Sequence, residues 1–275
     1  MEKQKLRMIH NMARSGSTLI CKCLGCMEGV VLLSELHPLA WEMFDPVKQA
    51  QEWFGLLTDS DVAELKKQKD AGYAQAIMLI ERRCREQGKT LVLRDWAHLD
   101  YTGVPYISNP PYRPMLYTEL AGSFDIIRIS TARDPVTQGN SLIQLEVMQE
   151  PMKSGKFGLN TFLAGYRRYA ELCAETGFIR YEDFLQDPQS EMRKMCDRLQ
   201  IRYDPGFIDK WSSYNTITGD VPAADNPDDA KMPHHSNRIL PLSSRPVGPA
   251  LRKRFLANAD YRRACELLGY ALVEE

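Results

Sequence analysis

The sequence predicts an α/β fold with a mainly parallel central sheet flanked by helices. Three observations carry that expectation. Short apolar runs alternate with longer amphipathic segments, the order that βαβ units produce. Each run is bounded by polar or turn residues, and β-branched side chains are common in the run 125–131. The segments between the runs carry recognisable helix starts and stops.

Taken in chain order, residues 6–10 are the first expected strand, followed by a hydroxyl-rich turn and a helix that starts near Ser17. Asp61 and Glu64 offer a capping box to a long helical segment that Gly88 closes. Residues 90–93, 125–131 and 178–181 supply three further strands. Asp187 and Pro188 start a helix whose apolar stripe is Met192, Met195, Cys196 and Leu199, spaced as one helical face. The last helix follows Pro249 and stops at Gly269. Residues 95–113 combine Gly103, Pro105, Pro110 and Pro111 with aromatic side chains, and residues 214–249 are richer still in Pro, Gly, Asp and Asn. Loops of that length in a compact domain more often serve a function than not. No repeat or compositional boundary divides the chain, so residues 1–275 are read as a single domain.

The 35 Lys and Arg are matched by 36 Asp and Glu, a formal charge of −1. Such a balance lacks the basic footprint of a protein whose main partner is a long nucleic acid or an anionic membrane. No apolar run approaches the roughly 18 residues of a membrane span. The N-terminus turns polar after a very short apolar stretch, unlike a secretory signal, so a cytoplasmic protein is expected. Seven scattered cysteines, an odd number, favour reduced thiols over a disulfide framework. Cys21, Cys23 and Cys26 would spread around a helix instead of converging, so no metal site is expected.

The most informative segment joins the first strand to its helix through Arg14-Ser15-Gly16-Ser17-Thr18. A helix start offers unpartnered backbone N–H groups and a dipole that favours an anion. Gly16 permits close backbone approach, Ser15, Ser17 and Thr18 add hydroxyl donors, and Arg14 adds a fixed positive charge. This is the composition of a phosphate cradle. It is not the motif of nucleoside triphosphatases, because Ser17 stands where that motif needs Lys and no glycine lies five residues before Gly16. Farther on, Arg133 ends the strand 125–131 and Ser141 lies two helical turns beyond it. A guanidinium fork and a hydroxyl in that arrangement can hold one phosphate from two directions.

These residues resemble the motifs of the PAPS-dependent sulfotransferase family. Arg14–Thr18 is similar to the family's R-S-G-T-T loop for the 5′-phosphosulfate. The stretch 126–135, with Arg133-Asp134-Pro135 and then Ser141, resembles the strand, turn and helix that hold the 3′-phosphate. Residues 179–184, with Tyr181-Glu182-Asp183, followed by Asp187-Pro188, resemble the segment near the adenine, which gives Tyr181 a cofactor-binding role. The three motifs follow in the family's order and cover residues 5 to about 205. The resemblance implies a three-layer P-loop-type fold, PAPS as co-substrate and 3′,5′-ADP as product. It implies sulfuryl transfer to a hydroxyl or amine, with Arg14 steadying the sulfuryl group and the leaving oxygen and with no metal required. Two alternatives stay open: a nucleotide-binding relative without catalysis, and an atypical P-loop kinase.

For the general base the family offers two patterns. Its protein-tyrosine members carry a catalytic Glu at the spacing at which Glu35 follows Arg14. Its cytosolic members use a His in a K-T-H turn, where this chain has Arg94-Asp95-Trp96, so Trp96 replaces that His. Glu35 is ranked first, His98 second and His37 third. Arg94 and Asp95 are read as a local pair. The late loop 214–249 resembles, loosely, the nucleotide-covering loop of the family, with Arg238 or Arg245 as candidates for the 3′-phosphate. The aromatic loop 95–113, with Trp96, Tyr101, Tyr106 and Tyr112, is the expected substrate loop for a small-molecule acceptor.

Overall fold

The computed structural model describes residues 3–67, 72–219, 239 and 247–274. Five strands form one all-parallel sheet: β1 (Gln4–Asn11), β2 (Val30–Leu36), β3 (Thr90–Trp96), β4 (Phe124–Ala132) and β5 (Phe178–Arg180). Their spatial order is β2-β3-β1-β4-β5. Side chains alternate across this sheet, and both faces are covered. On one face Leu6, Met8, Val31, Leu33, Leu91 and Leu93 pack against Ile77 and Ile80 of the helix Tyr73–Glu86. On the other, Ile9, Leu32, Val92 and Ile129 meet Ile20 and Leu24 of the helix Ser17–Gly25 and Met192 and Met195 of the helix Pro188–Leu199. Each such buried aliphatic side chain contributes about 1.5–3 kcal/mol. The result is helix, sheet and helix in three layers.

The four expected strands are present, three of them longer than expected, and β2 is an addition. Its sequence, Val30-Val-Leu-Leu-Ser-Glu-Leu36, is buried on both faces and therefore lacks the alternation that marks a strand with one wet face. Tyr181 belongs not to β5 but to the helix Tyr181–Gln186. The segment expected as one helix from 61 to 88 holds two, Asp59–Lys67 and Tyr73–Glu86, with residues 68–71 outside the described set. Thr58 and Asp61, not Asp61 and Glu64, form the reciprocal cap: the Asp61 N–H donates to Thr58 Oγ1 at 3.1 Å, and the Thr58 N–H to Asp61 Oδ2 at 2.9 Å. The final helix is interrupted at Asn258, whose side chain caps a new helix, Ala259–Leu268, by accepting from the Tyr261 N–H.

The strand order has a functional consequence. From β1 the chain moves to one side of the sheet, to β2 and back to β3, and then crosses to β4 and β5 on the other side. The connections leaving β1 and β4 therefore diverge, and a crevice opens beyond their C-terminal ends. Ligands of open α/β sheets bind at such a switch point. Here it is bordered by the loop after Asn11 and the turn after Ala132, which carry Arg14 and Arg133.

Candidate functional site

The loop from β1 into the helix Ser17–Gly25 is bent by two left-handed residues, Arg14 at φ 65° and Gly16 at φ 80°. Its carbonyls are held from outside. Gln138 Nε2 donates to Ala13 O at 2.9 Å, and Arg133 Nη1 donates to Arg14 O at 3.1 Å. Gly16 is required for a second reason, since a Cβ there would lie 2.1 Å from Tyr181 Cδ2. The Tyr181 ring thus closes over the loop backbone, and the Arg133 guanidinium sits 4.9 Å from its centroid. Exposed Arg14 donates through Nε to Ser141 Oγ at 2.9 Å. Arg14 with Gly16, Arg133 with Ser141, and Tyr181 come from three segments far apart in sequence and meet at the switch point. Ser15 is turned inward instead: its hydroxyl is buried and shares a 3.2 Å hydrogen bond with Thr131 Oγ1.

Arg133 is held by its neighbours and still has capacity. The side chain is 9% exposed, and its Nε is buried with no partner among the described residues. Its carbonyl accepts from the Tyr166 hydroxyl. Beside it, Glu182 accepts from the Asp134 N–H at 2.9 Å and from the Tyr270 hydroxyl at 2.7 Å, which fixes the start of the helix Pro135–Leu142 that carries Ser141. A buried guanidinium with an unused N–H suits a site for an anion.

Glu35 reaches the same region from the sheet edge. Pairing of β2 with β3 slips between Leu33 and Leu36, a one-residue bulge at which Glu35 takes φ 54°. Gln49 replaces the missing ladder bonds: its Oε1 accepts from the Ser34 N–H at 2.7 Å, and its Nε2 donates to Ser34 O at 2.9 Å. The bulge aims the Glu35 side chain, 17% exposed, at Arg94, with Oε1 and Nη2 3.6 Å apart. Buried Arg94 also donates to Ser17 Oγ and Thr18 Oγ1, both at 3.1 Å, to Ser34 Oγ at 2.9 Å and to Thr218 O at 3.0 Å. Gly219 passes close by, where a Cβ would stand 3.2 Å from Glu35 Oε1 and 3.6 Å from Thr18 Oγ1.

The two histidines are engaged in the interior. His98 is 2% exposed, donates through Nε2 to Val104 O at 2.8 Å, and accepts at Nδ1 from the Thr102 hydroxyl at 2.6 Å. Burial pushes its pKa down to about 4, so the ring is neutral. His37 Nδ1 accepts from the Leu39 N–H at 3.1 Å, and its Nε2 faces Asp100 Oδ1 at 3.2 Å. Neither ring keeps a free nitrogen, and both brace the aromatic loop. Asp100 extends that brace by accepting from the N–H groups of Tyr112 and Met115. Arg238 and Arg245 lie outside the described residues.

Sequence reasoning missed Arg94. Consecutive strand residues point to opposite faces, so Arg94 and Asp95 cannot pair side by side. Asp95 instead binds His10 Nδ1 at 2.5 Å on the buried face, and its backbone carbonyl accepts from Asn11 Nδ2. Extending the strand 90–93 by three residues would have given the signal. The thiols of Cys21 and Cys23 are buried and free, and Cys26 Sγ donates to Cys23 O. Among the described residues no group of three His, Cys, Asp or Glu could hold a metal ion, and no helix is long and apolar enough to cross a membrane.

No family model matches the chain, and no curated protein matches it. Solved structures do. The sulfotransferase domain from the curacin biosynthetic pathway is 18% identical over 99% of this chain and 100% of that chain, with a TM-score of 0.64. The sulfotransferase domain from the Synechococcus PCC 7002 olefin synthase is 16% identical over 99% of this chain and 97% of that chain, with a TM-score of 0.63. At such identities the likeness is one of architecture, and it agrees with the parallel five-stranded sheet and its helical layers. The chain has a sulfotransferase-like fold.

Proposed function

We propose that the chain is a sulfotransferase that moves a sulfuryl group from PAPS to a hydroxyl or amine of a small acceptor and releases 3′,5′-ADP. One observation carries the reading: Arg14, Arg133, Ser141 and Tyr181, drawn from three separate motifs, interlock around the Gly16 backbone at the switch point. The donor set suits a nucleotide with two anionic ends, because cations and hydroxyls gather there while the chain as a whole carries a charge of −1. PAPS, when bound, supplies the transferable sulfuryl group.

In this scheme the chain's own work is positioning and charge stabilisation. The N–H groups at the start of the helix Ser17–Gly25, with the hydroxyls of Ser17 and Thr18, hold the 5′ anion. Arg14 neutralises charge at the leaving oxygen. Arg133 and Ser141 hold the 3′-phosphate, and Tyr181 borders the base. Glu35, the base candidate with a partly exposed side chain, removes the acceptor's proton at its carboxylate. His98 and His37 serve the loop, through the contacts already described.

Calorimetric and thermal-shift titrations test the reading. The midpoint is expected to rise with 3′,5′-ADP, by the equivalent of about 2.7 kcal/mol at a hundredfold excess over Kd, and not with ATP. Acceptor screening with labelled PAPS should then find release of 3′,5′-ADP that Glu35→Gln abolishes. Stabilisation by ATP alone would replace the reading with a kinase. Binding of 3′,5′-ADP without turnover on any acceptor would leave a nucleotide-binding protein.

A further inference from the structure

Arg94 is not itself among the residues that the family resemblance singles out, yet it touches three that are: Ser17, Thr18 and Glu35. Its guanidinium is buried, and its two Nη groups donate to oxygens of four residues, Ser17, Thr18, Ser34 and Thr218, while its Nε has no hydrogen-bond partner among the described residues. The chemistry of two of those bonds is directional. A hydroxyl owns one donor and two acceptor lone pairs. Arginine carries only donors, so Ser17 and Thr18 must accept from it. Each hydroxyl keeps its own proton, and neither proton is given to another described residue. Both residues lie in the first turn of the helix Ser17–Gly25, beside the unpartnered backbone N–H groups. Without Arg94 the two hydroxyls could rotate to donate to backbone or to a neighbouring carboxylate such as Glu35, and would present lone pairs to an incoming anion.

We propose that Arg94 is a positioning residue that acts through Ser17 and Thr18, holding one lone pair of each so that both hydroxyl protons face the 5′ anion of the nucleotide. The inference rests on the nucleotide reading given above. It also explains why a cation is buried at the end of β3 beside Glu35, 3.6 Å away: one guanidinium sets the donors of the cradle and the place of the carboxylate together.

A double-mutant cycle on 3′,5′-ADP affinity, measured by calorimetry on the full chain, decides it. Arg94→Gln is expected to weaken 3′,5′-ADP binding by about tenfold, because the two hydroxyls remain and lose only their fixed orientation toward the anion. The same substitution in a Ser17→Ala/Thr18→Val background should change affinity by less than about twofold, since the hydroxyls it orients are gone. A general structural role, or direct contact of Arg94 with the nucleotide, would give the full loss in both backgrounds and would overturn the proposal. Arg94→Lys guards against a variant that does not fold: an ammonium keeps the charge but loses the planar fork, so an intermediate loss is expected in the parent and none in the double background. Equal losses for Arg94→Lys in the two backgrounds would likewise overturn it. Should the unaltered chain fail to bind 3′,5′-ADP, the nucleotide reading falls and this inference falls with it; binding with an additive cycle removes this inference alone.

Discussion

Gly16 is the residue on which most of the site depends, because two independent constraints meet at its α-carbon. Its φ of 80° is a conformation in which an L side chain costs about 1–3 kcal/mol, and the Tyr181 ring occupies the volume a Cβ would need. Gly16→Ala should therefore lower the thermal midpoint and weaken 3′,5′-ADP binding by more than tenfold. Adding Tyr181→Ala should restore the part due to the collision and leave the part due to φ. An unchanged affinity in Gly16→Ala would show that the loop can relax without loss, contrary to the interlocked geometry.

His98 makes the complementary point, that a buried titratable group is a stability device. Its folded pKa is pushed down to about 4 from an ordinary value near 6.5. Between those values the unfolded chain binds more protons than the folded one, so stability is full above pH 6.5 and is lost as pH falls toward 4, by about 3 kcal/mol in all. Asp100 works in the opposite sense, because desolvation raises its pKa to about 6 and the folded state gains protons as pH falls. The measurement is therefore a difference. His98→Gln should show a shallower loss of unfolding free energy between pH 7 and 4.5 than the unaltered chain, and equal slopes would mean that His98 is not buried as a neutral ring.

At the scale of elements, legibility followed local contrast. β1, β3, β4 and β5 stood out because apolar runs ended at polar or turn residues, and the helix Pro188–Leu199 because Asp187 caps it by accepting from the Ser190 N–H. The motif turns after β1 and β4 were legible because a loop that holds an anion needs particular residues at particular spacings. β2 was opaque because an edge strand covered on both faces has no polar alternation. The break at Asn258 was opaque because the residues on each side of it form helix equally well, and only the cap to Tyr261 shows where one helix ends. Arg94 shows how an element error becomes a site error. Ending β3 at Leu93 put Arg94 and Asp95 in a turn, where neighbours can pair. Inside a strand they face opposite layers, and each finds a partner from another part of the chain, Glu35 for one and His10 for the other.

At the scale of the whole molecule, the charge balance and the strand order describe the same site. A sum of −1 draws no anion from a distance, so the attraction must come from cations that the topology collects at one place. The crossing from β3 to β4 does this by bringing the turn after β4 beside the loop after β1. The two cations it assembles differ in exposure: Arg14 is exposed, and Arg133 is 9% exposed beneath the Tyr181 ring. Salt should distinguish them. Raising ionic strength from 0.1 to 1 M shortens the screening length from about 10 Å to about 3 Å, which weakens an exposed charge far more than a buried one. Titrations of 3′,5′-ADP across that range should show affinity falling with salt for the unaltered chain and falling less steeply for Arg14→Gln. Arg133→Gln should bind more weakly at every salt concentration while keeping the steeper dependence of the unaltered chain. Equal slopes for Arg14→Gln and the unaltered chain would mean that the exposed cation does not face the nucleotide, and would move the 5′ anion deeper, toward the hydroxyls of Ser17 and Thr18 and the arginine behind them.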